Sequence, residues 1–205
     1  MPNSTLQSPP QQAQNGVSDD LLITAHAAML AGRHFNQQAS NLAKQGYMGA
    51  YPSSLGQEAC QVAAALALEP ADWLFPTYRD SVAVMSRGID LAEVLSPFHG
   101  SSHCGYAPTK THTAPEATPL ATHTAHAVGL AMAAKFAGDS TVALAMCGDG
   151  STSEGDFHEA LNLAAVFEAP VVFLVQNNGY AISTPVSRQM RAASIAAKGE
   201  GYGMP

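Results

Sequence analysis

A strand–helix–strand pattern in the second half of the sequence constrains the fold more than any other feature. Residues 141–146 and 171–175 are apolar runs of the length expected for buried strands, and Phe157, Leu161 and Ala164 recur between them at helical spacing. A strand, a crossover helix and a second strand of this length form a right-handed parallel unit. Both strands then end at the same sheet edge, where open α/β sheets bind ligands.

The residues after the first strand predict how the crossover helix begins. Ser151 with Glu154, and Ser153 with Asp156, each match a capping box at a helix N-terminus. Pro170 is expected to end the helix and to open the next strand, because proline cannot continue a helix. The crossover helix is therefore predicted to start within the turn itself.

Polar residues stand where the two strands are predicted to end. Asp149 lies between Gly148 and Gly150 after the first strand, and Asn177-Asn178 follows the second. The N–H groups of a helix N-terminus attract phosphate, whereas a carboxylate in the same turn repels it. A divalent cation resolves this conflict, since carboxylate, amide and carbonyl oxygens are ligands that Mg²⁺ takes together with phosphate oxygens. The pattern predicts a metal-bridged diphosphate, with the glycines allowing close backbone approach.

Other interpretations of this turn fit less well or stay open. Gly148-x-Gly150-x-x-Ser153 lacks the third glycine of a dinucleotide fingerprint, and the sequence contains no phosphate-binding Gly-x-x-x-x-Gly-Lys-Ser/Thr loop. A calcium loop is disfavoured because Glu154 stands where the sharp turn needs glycine. For the three residues 148–150 alone, an ordinary strand-to-helix turn remains open.

The spacing of these motifs carries a resemblance to a known family. Gly148-Asp149-Gly150, 26 intervening residues (151–176) and Asn177-Asn178 resemble the diphosphate and metal motif of thiamine-diphosphate enzymes. The wording of residues 153–159 and 177–185 is similar to the α subunit of the E1 component of 2-oxo acid dehydrogenases. The branched-chain type resembles it most, with the pyruvate type sharing the same motifs.

The resemblance implies a set of site residues. Three would hold Mg²⁺, through the side chains of Asp149 and Asn178 and the main-chain carbonyl of Tyr180. Thr122 falls near a potassium site of the relatives. The remaining members would contact thiamine diphosphate: Tyr78, Arg79, Leu120, Gly148 and Gly150. Without the family, an ion pair of Arg79 with Asp80 or Glu93 is the expected role of that side chain.

The resemblance also implies an activity and its partners. It predicts oxidative decarboxylation of a 2-oxo acid and acyl transfer to the lipoyl domain of E2, together with an E1 β subunit in an α₂β₂ assembly. The resemblance covers about residues 20–205, the first part of a usual α subunit, so the chain alone is expected to be inactive. Two alternatives remain: a truncated paralogue or fragment that binds cofactor or partner without catalysis, and a nicotinamide-dependent oxidoreductase.

Residues 97–117 depart from the family pattern. They are shorter than in the relatives and contain His99, His103, Cys104 and His112. Imidazole and thiolate are ligands of zinc, but the spacing matches no standard zinc motif, and a flexible polar loop is the favoured interpretation. Because this region contributes to the active site of the relatives, its shortening leaves the identity of the 2-oxo acid open.

Histidines elsewhere are interpreted as structural. His123 stands where the relatives usually have glutamine, and His126 follows on the same predicted helix. His158 lies on the crossover helix after the diphosphate turn. All three are expected to have structural roles in the helices to which they belong.

Composition sets the remaining expectations. The 205 residues carry a net charge of −7, from 9 basic and 16 acidic side chains, which argues against nucleic acid or an anionic membrane as partner. Three cysteines without paired spacing, and no apolar run long enough for a membrane span, predict a cytoplasmic protein.

The predicted architecture is an α/β domain with a mostly parallel sheet, helices on both faces and helices before it. Residues 1–18 are predicted to be disordered, and residues 19–205 to form the cofactor-binding domain, C-terminally incomplete. The first helix is expected from Asp19 to Gln45 with Leu22, Leu30 and Phe35 near one face. A second helix, reaching about Leu68, is expected to be capped by Ser53 or Ser54.

Overall fold

The computed structural model describes residues 17–205, which form nine α-helices, two 3-10 helices and five strands. Two short 3-10 helices cover Ser96–His99 and Asp149–Ser153. The α-helices are α1 (Asp19–Lys44), α2 (Glu58–Leu66), α3 (Ser81–Ser86), α4 (Leu91–Leu95), α5 (Pro108–Thr111), α6 (Thr122–Ala137), α7 (Gly155–Phe167), α8 (Val186–Gln189) and α9 (Ala196–Gly201). The strands are β1 (Trp73–Phe75), β2 (Ala143–Gly148), β3 (Val171–Gln176), β4 (Tyr180–Ala181) and β5 (Thr184–Pro185).

The central sheet has three parallel strands in the order β1-β2-β3. Trp73 pairs with Ala143, and Ala143 pairs in turn with Val171. Residues 143–147 of the middle strand are all buried, which accounts for their unbroken apolar sequence. The parallel unit predicted from sequence is confirmed, with β2 placed two residues later than expected. Its strands β2 and β3 end at one edge.

Helices cover both faces of the sheet, which confirms the predicted fold class. On one face Leu144 and Met146 pack against residues of α2, α3 and α4. On the other face Ala145 belongs to the same cluster as Ala127 and Ala131 of α6. Small side chains on both sides allow the helix to approach the strand closely. The sheet edge is thereby held between two helical layers.

Helix α1 is buried along its second half only. Phe35 and Ala39 are buried, and Gly32 lies so close to α3 that an added Cβ would come within 2.7 Å of a Val82 methyl group. Leu22 and Leu30, expected on the packed face, are 55% and 59% exposed. That expectation was wrong because the neighbouring helices reach only the second half of α1.

The start of the chain bears on the predicted tail. Residues 1–16 lie outside the described part, so the prediction of disorder there stays untested. Ser18, which the prediction placed in the tail, is the N-cap of α1: its hydroxyl accepts a hydrogen bond from the backbone N–H of Leu21 at 3.2 Å. The ordered structure therefore reaches at least one residue further than expected.

The predicted caps of α2 and α7 were wrong. Gln57 stands at the N-cap of α2 and Glu154 at that of α7, and neither side chain makes a capping hydrogen bond. The predicted cap Ser54 is buried against Asn36 of α1, with 3.1 Å from Asn36 Nδ2 to its hydroxyl. A 3-10 helix occupies the turn before α7. Ser151 and Ser153, the predicted cap residues, lie within this helix and not at the N-cap of α7. At α2, the tertiary contact of Ser54 with Asn36 takes the place of the predicted cap.

Candidate functional site

A cavity of about 740 Å³ opens at the carboxyl edge of the sheet. This volume is in the range of small-molecule sites. Its lining combines the ends of β2 and β3, the loop after β1 and the loop before α6. All eight residues that the sequence predicted as cofactor or metal contacts line it: Tyr78, Arg79, Leu120, Gly148, Asp149, Gly150, Asn178 and Tyr180.

Asp149 is the most buried acidic group of this cavity, with 1% of its surface exposed. Its Oδ2 accepts a hydrogen bond from Nε2 of Gln189 at 3.1 Å. Within residues 17–205 it forms no ion pair with a basic side chain. A buried carboxylate without a cationic partner is costly. Its burial beside an open cavity suits it to a cation bound there.

Asn178 and Tyr180 lie in the tight loop that follows β3. The Asn178 Oδ1 accepts a hydrogen bond from the Tyr180 N–H, and the Asn177 Oδ1 accepts one from the Gly179 N–H, both at 3.0 Å. Gly179 has φ +87°, a backbone conformation that favours glycine. These turns bring an amide side chain and the backbone of Tyr180 to the cavity that contains Asp149. Asp149, Asn178 and Tyr180 thus line one cavity.

Arg79 supplies the basic group of the cavity among the described residues that line it. Its Nη1 donates to the Ser53 carbonyl at 2.8 Å, and its guanidinium carbon lies 5.5 Å from the centroid of the Tyr78 ring. The alternative of an ion pair with Asp80 or Glu93 is wrong, since neither contact occurs within residues 17–205. Arg79 is oriented by a neutral carbonyl, so its charge is left for an anion in the cavity.

A buried polar network behind the cavity was missed by the sequence reasoning. Asp80 accepts hydrogen bonds from the N–H and the hydroxyl of Thr77, both at 2.8 Å, and from Nε2 of Gln176 at 2.6 Å. Gln61 donates to the Arg79 carbonyl at 3.1 Å and to Gln176 at 3.4 Å. These contacts hold the loop that presents Arg79. The participants are up to 115 residues apart, so no local pattern identifies them.

Glu116 is a partly buried acidic residue beside this network. Its Oε1 accepts a hydrogen bond from the Ser81 hydroxyl at 2.8 Å, and its Oε2 is buried without a hydrogen-bond partner among residues 17–205. Burial, with a smaller contribution from the charge of Asp80, raises the pKa of Glu116 to about 8. Burial also raises the pKa of Asp80, against the three hydrogen bonds that this carboxylate accepts, so both acidic groups favour the protonated form more than a free carboxyl does.

The histidines on α6 and α7 serve the packing of the helices. His123 is buried, and its Nε2 lies 2.6 Å from the Met146 carbonyl. Burial is the main influence on its pKa and lowers it, so the ring is neutral near pH 7. The Nδ1 of His158 on α7 lies 3.0 Å from the hydroxyl of Tyr202. These contacts agree with the structural roles expected for His123 and His158.

The residues considered as zinc ligands lie in separate local contacts. His103 accepts from the Gly105 N–H at 3.0 Å, whereas the Cys104 Sγ donates to the Tyr106 carbonyl at 3.2 Å. His112 lies 2.7 Å from the Pro70 carbonyl and stacks on Trp73 at a centroid distance of 5.4 Å. Across residues 17–205, no three His, Cys, Asp or Glu side chains come close enough together to hold a metal. The segment predicted to be a flexible polar loop contains two short helices, Ser96–His99 and Pro108–Thr111.

Every helix in the described part of the chain falls short of the length or apolarity that a membrane span needs. All three cysteines are free thiols, with Cys147 buried at the end of β2.

A parallel α/β sheet with a cavity at its carboxyl edge, lined by one carboxylate, three amide side chains and one arginine, defines a class of proteins that bind an anionic cofactor at the strand ends. The family model described as "Dehydrogenase E1 component" matches residues 26–205. The chain therefore belongs to the dehydrogenase E1 component family, as the sequence motifs predicted.

The relatives are E1 α subunits from several organisms. The chain is 48% identical over 91% of its length to the 3-methyl-2-oxobutanoate dehydrogenase subunit alpha of Mycobacterium tuberculosis, covering 51% of that protein. It is 36% identical over 92% of its length to the mitochondrial 2-oxoisovalerate dehydrogenase subunit alpha 2 of Arabidopsis thaliana, covering 42%. A pyruvate dehydrogenase E1 component subunit alpha of Acholeplasma laidlawii is 36% identical over 91% of this chain, with 54% covered. The chain spans about half the length of these relatives.

Proposed function

We propose that this chain binds thiamine diphosphate through Mg²⁺ as the diphosphate-side part of a 2-oxo acid dehydrogenase E1 α subunit. The observation that carries the proposal is the buried carboxylate of Asp149, which lacks a cationic partner among residues 17–205 and lies in the cavity that all eight predicted residues line. Membership of the E1 family supports it.

The donors in the cavity fit this cofactor. Asp149, the Asn178 side chain and the Tyr180 carbonyl offer the hard oxygen atoms that Mg²⁺ prefers. Arg79 offers a cation for the diphosphate, and Tyr78 lies against the guanidinium. Gly148 and Gly150 would flank the diphosphate, and the main chain of Leu120 would contact the pyrimidine ring.

The donors near Thr122 support a potassium ion less well. The Thr122 hydroxyl donates to the Asp156 carboxylate at 3.0 Å. The next side chain, His123, is buried with its Nε2 2.6 Å from the Met146 carbonyl and offers no oxygen atom, whereas K⁺ sites are built from oxygen atoms. Mg²⁺ is therefore the ion that we assign to this chain.

The proposed reaction is the oxidative decarboxylation of a 2-oxo acid, with acyl transfer to a lipoyl domain of E2. When bound, thiamine diphosphate supplies the chemistry that breaks the carbon–carbon bond. The chain's own residues bind and orient: Arg79 and the metal ligands hold the diphosphate, and the neighbouring loops shield it from water. An E1 β subunit would complete the site in an α₂β₂ assembly, so the chain alone is expected to be inactive. Three free thiols support a cytoplasmic location.

Calorimetry of the chain with an E1 β subunit of the branched-chain type tests the proposal. Titration of thiamine diphosphate should show binding that depends on Mg²⁺, and NAD should not bind. Asp149→Ala should weaken this binding by at least about 100-fold, since losses of up to 100-fold already follow from removing outer-shell partners of a metal. Asp156→Ala, which removes an exposed carboxylate seven residues away, is the matched control. Unchanged affinity of Asp149→Ala would overturn the proposal.

A second candidate function is a non-catalytic paralogue or fragment that binds cofactor or partner only, favoured by the departure of residues 97–117 from the family pattern. In that case the mixture with the β subunit binds thiamine diphosphate and Mg²⁺ but releases no CO₂ from pyruvate or from branched-chain 2-oxo acids. Measured decarboxylation with either substrate would exclude this second candidate and would at the same time identify the 2-oxo acid.

A further inference from the structure

We propose that Gln189 is a positioning residue that holds the carboxylate of Asp149 in place for the metal. This inference rests on the proposed Mg²⁺ site and adds a residue that the sequence motifs did not indicate. Gln189 is the last residue of α8, and 40 positions separate it from Asp149.

The orientation of the Gln189 amide follows from its contacts. Its Nε2 donates to Asp149 Oδ2 at 3.1 Å and to the Thr184 carbonyl at 3.0 Å. A flipped amide would place its oxygen against these two acceptors, with no donor between them. Both amide protons are therefore committed, one to the carboxylate and one to the backbone of β5.

The amide oxygen of Gln189 indicates that the site holds a further ligand. It is buried and has no hydrogen-bond partner among residues 17–205. A buried unpaired oxygen in a native protein calls for an explanation, such as a water or an ion. Mg²⁺ in proteins usually keeps several of its waters. A water bound to the metal at Asp149 would donate the missing hydrogen bond. Gln189 would then donate an N–H to the carboxylate and accept a hydrogen bond from the hydration shell of the metal.

Other contacts hold the segment that carries Gln189 against the same turn. Nζ of Lys198 donates to the Thr152 carbonyl at 2.5 Å and to its hydroxyl at 2.9 Å. Ala181 packs so closely on Gly150 that a Cβ added there would lie 2.8 Å from its methyl group. Gln189 is thus presented by a segment fixed at two further points, which is the arrangement expected of outer-shell support for a metal ligand.

The opposite role for Gln189 makes an opposite prediction. If its amide only occupies the place of the cation, removing it frees Asp149 and strengthens metal binding. If it positions the carboxylate, removing it weakens metal binding by about 10- to 100-fold, the range typical of outer-shell partners. The sign of the change decides between the two roles.

The test is the Mg²⁺ concentration that half-saturates thiamine diphosphate binding in the mixture of the chain with the β subunit. Gln189→Met keeps the length and the helix preference of the side chain and removes its hydrogen bonds. It should raise the half-saturating concentration by about 10- to 100-fold, with the melting temperature of the metal-free chain unchanged. Gln38→Met, at an exposed position of α1, is the matched control. An unchanged or lowered half-saturating concentration would overturn the inference.

A second measurement needs no variant. Backbone hydrogen exchange of residues 181–190 should slow when Mg²⁺ and thiamine diphosphate are added to the wild-type mixture. The reason is that the Gln189 side-chain amide gains a hydrogen-bond partner and stays bonded to Asp149. Faster exchange would overturn the positioning role. Failure of the wild-type chain to bind the cofactor with Mg²⁺ would refute the proposed function itself, whereas normal wild-type binding with an unaffected Gln189→Met variant refutes this inference alone.

Discussion

At the scale of single residues, Glu116 combines a partly buried side chain with a buried oxygen that has no hydrogen-bond partner among residues 17–205. The protonated form is favoured in the folded state because its pKa is raised to about 8 from 4.5. The contribution of this carboxyl group to stability is therefore fully present below about pH 4.5 and is lost as the pH rises through about 8. Asp80, Ser81, Tyr51 and Tyr106 are the polar groups that influence this region.

Glu116→Gln should remove this pH dependence. Relative to the wild type, we expect the variant to gain roughly 3 kcal/mol in free energy of unfolding between pH 5 and pH 8, since a neutral amide cannot ionise. Urea unfolding of the metal-free chain at both pH values measures the difference. Glu159→Gln, at an exposed position of α7, is the control. If the difference in free energy of unfolding between the variant and the wild type is the same at both pH values, the raised pKa of Glu116 is contradicted.

Asn36 is a second residue whose replacement should also affect neighbouring parts of the structure. Its Nδ2 donates to the Gly32 carbonyl and to Ser54, and its Oδ1 accepts from the Ser54 N–H at 3.0 Å and from Tyr51 at 2.9 Å. The adjacent Ser53 carbonyl is the acceptor for Arg79. A buried amide thus links α1 to the loop that orients the cationic group of the site.

Asn36→Ala should lower the free energy of unfolding by about 3 kcal/mol, because several buried polar partners lose their hydrogen bonds. It should also weaken diphosphate binding, since the Ser53 loop supports Arg79. Denaturant unfolding and calorimetry check the two effects. Asn41→Ala, on an exposed part of the same helix, is expected to have little effect on either. A stability loss below about 1 kcal/mol would show that the loop does not depend on this amide.

At the scale of elements, the turn after β2 is shaped by the hairpin that follows β3. The missing side chain of Gly150 was expected to admit a ligand, but its Cβ position faces Ala181 of β4 at 2.8 Å. A Cβ added at Gly148 would meet no heavy atom within 4 Å beyond the adjoining residues of the chain. The two glycines of the motif therefore have different surroundings, and Gly150 is required for the approach of β4.

Gly150→Ala should displace β4 and weaken Mg²⁺-dependent cofactor binding by about 10-fold, since tight packing transmits small changes of volume. The double variant Gly150→Ala with Ala181→Gly exchanges the two methyl positions and should recover most of the loss. Calorimetry of the single and double variants measures both, with Gly155→Ala as control, because a Cβ there meets open space. A double variant as weak as the single one would refute the steric explanation.

At the scale of the whole molecule, stability is unevenly distributed. Strand β2 is buried between its neighbours, whereas β3 forms one edge of the sheet. A groove of about 810 Å³ with a mostly apolar lining runs between α7, the edge of β3 and residues 195–205. The first half of α1 leaves Leu22, Ile23 and Leu30 exposed. Both regions present apolar surface to solvent in the isolated chain.

Amide hydrogen exchange should follow this distribution. Residues 20–30 are expected to exchange at least about 10-fold faster than residues 33–43 of the same helix, because few buried contacts oppose opening of the first half. Mass spectrometry of the isolated chain measures the two segments in one experiment. Equal protection along α1 would mean that its first half is stabilised in a way that the burial pattern does not reveal.

Local chemistry in the sequence was sufficient for the strand–helix–strand unit and for the family. Apolar runs of strand length predict a parallel pair whatever surrounds them, and parallel strands end together, so Asp149 and Asn178 meet at one edge. The eight predicted contacts line one cavity, and their roles toward cofactor and metal stay predictions. Residue identity and spacing carry this information because turn chemistry is local.

Only the tertiary structure decided which side chains support those residues. Gln189 reaches Asp149 across 40 positions, and Gln176 reaches Asp80 across 96. The start of α2 was also decided at long range: its sequence allows Ser54 to cap it, but Ser54 is buried against Asn36 of α1. Hydrogen-bond partners that are far apart in the chain produce no periodic pattern in the amino-acid sequence. The sequence alone therefore determined the sheet edge and its motif, whereas packing determined how that motif is held.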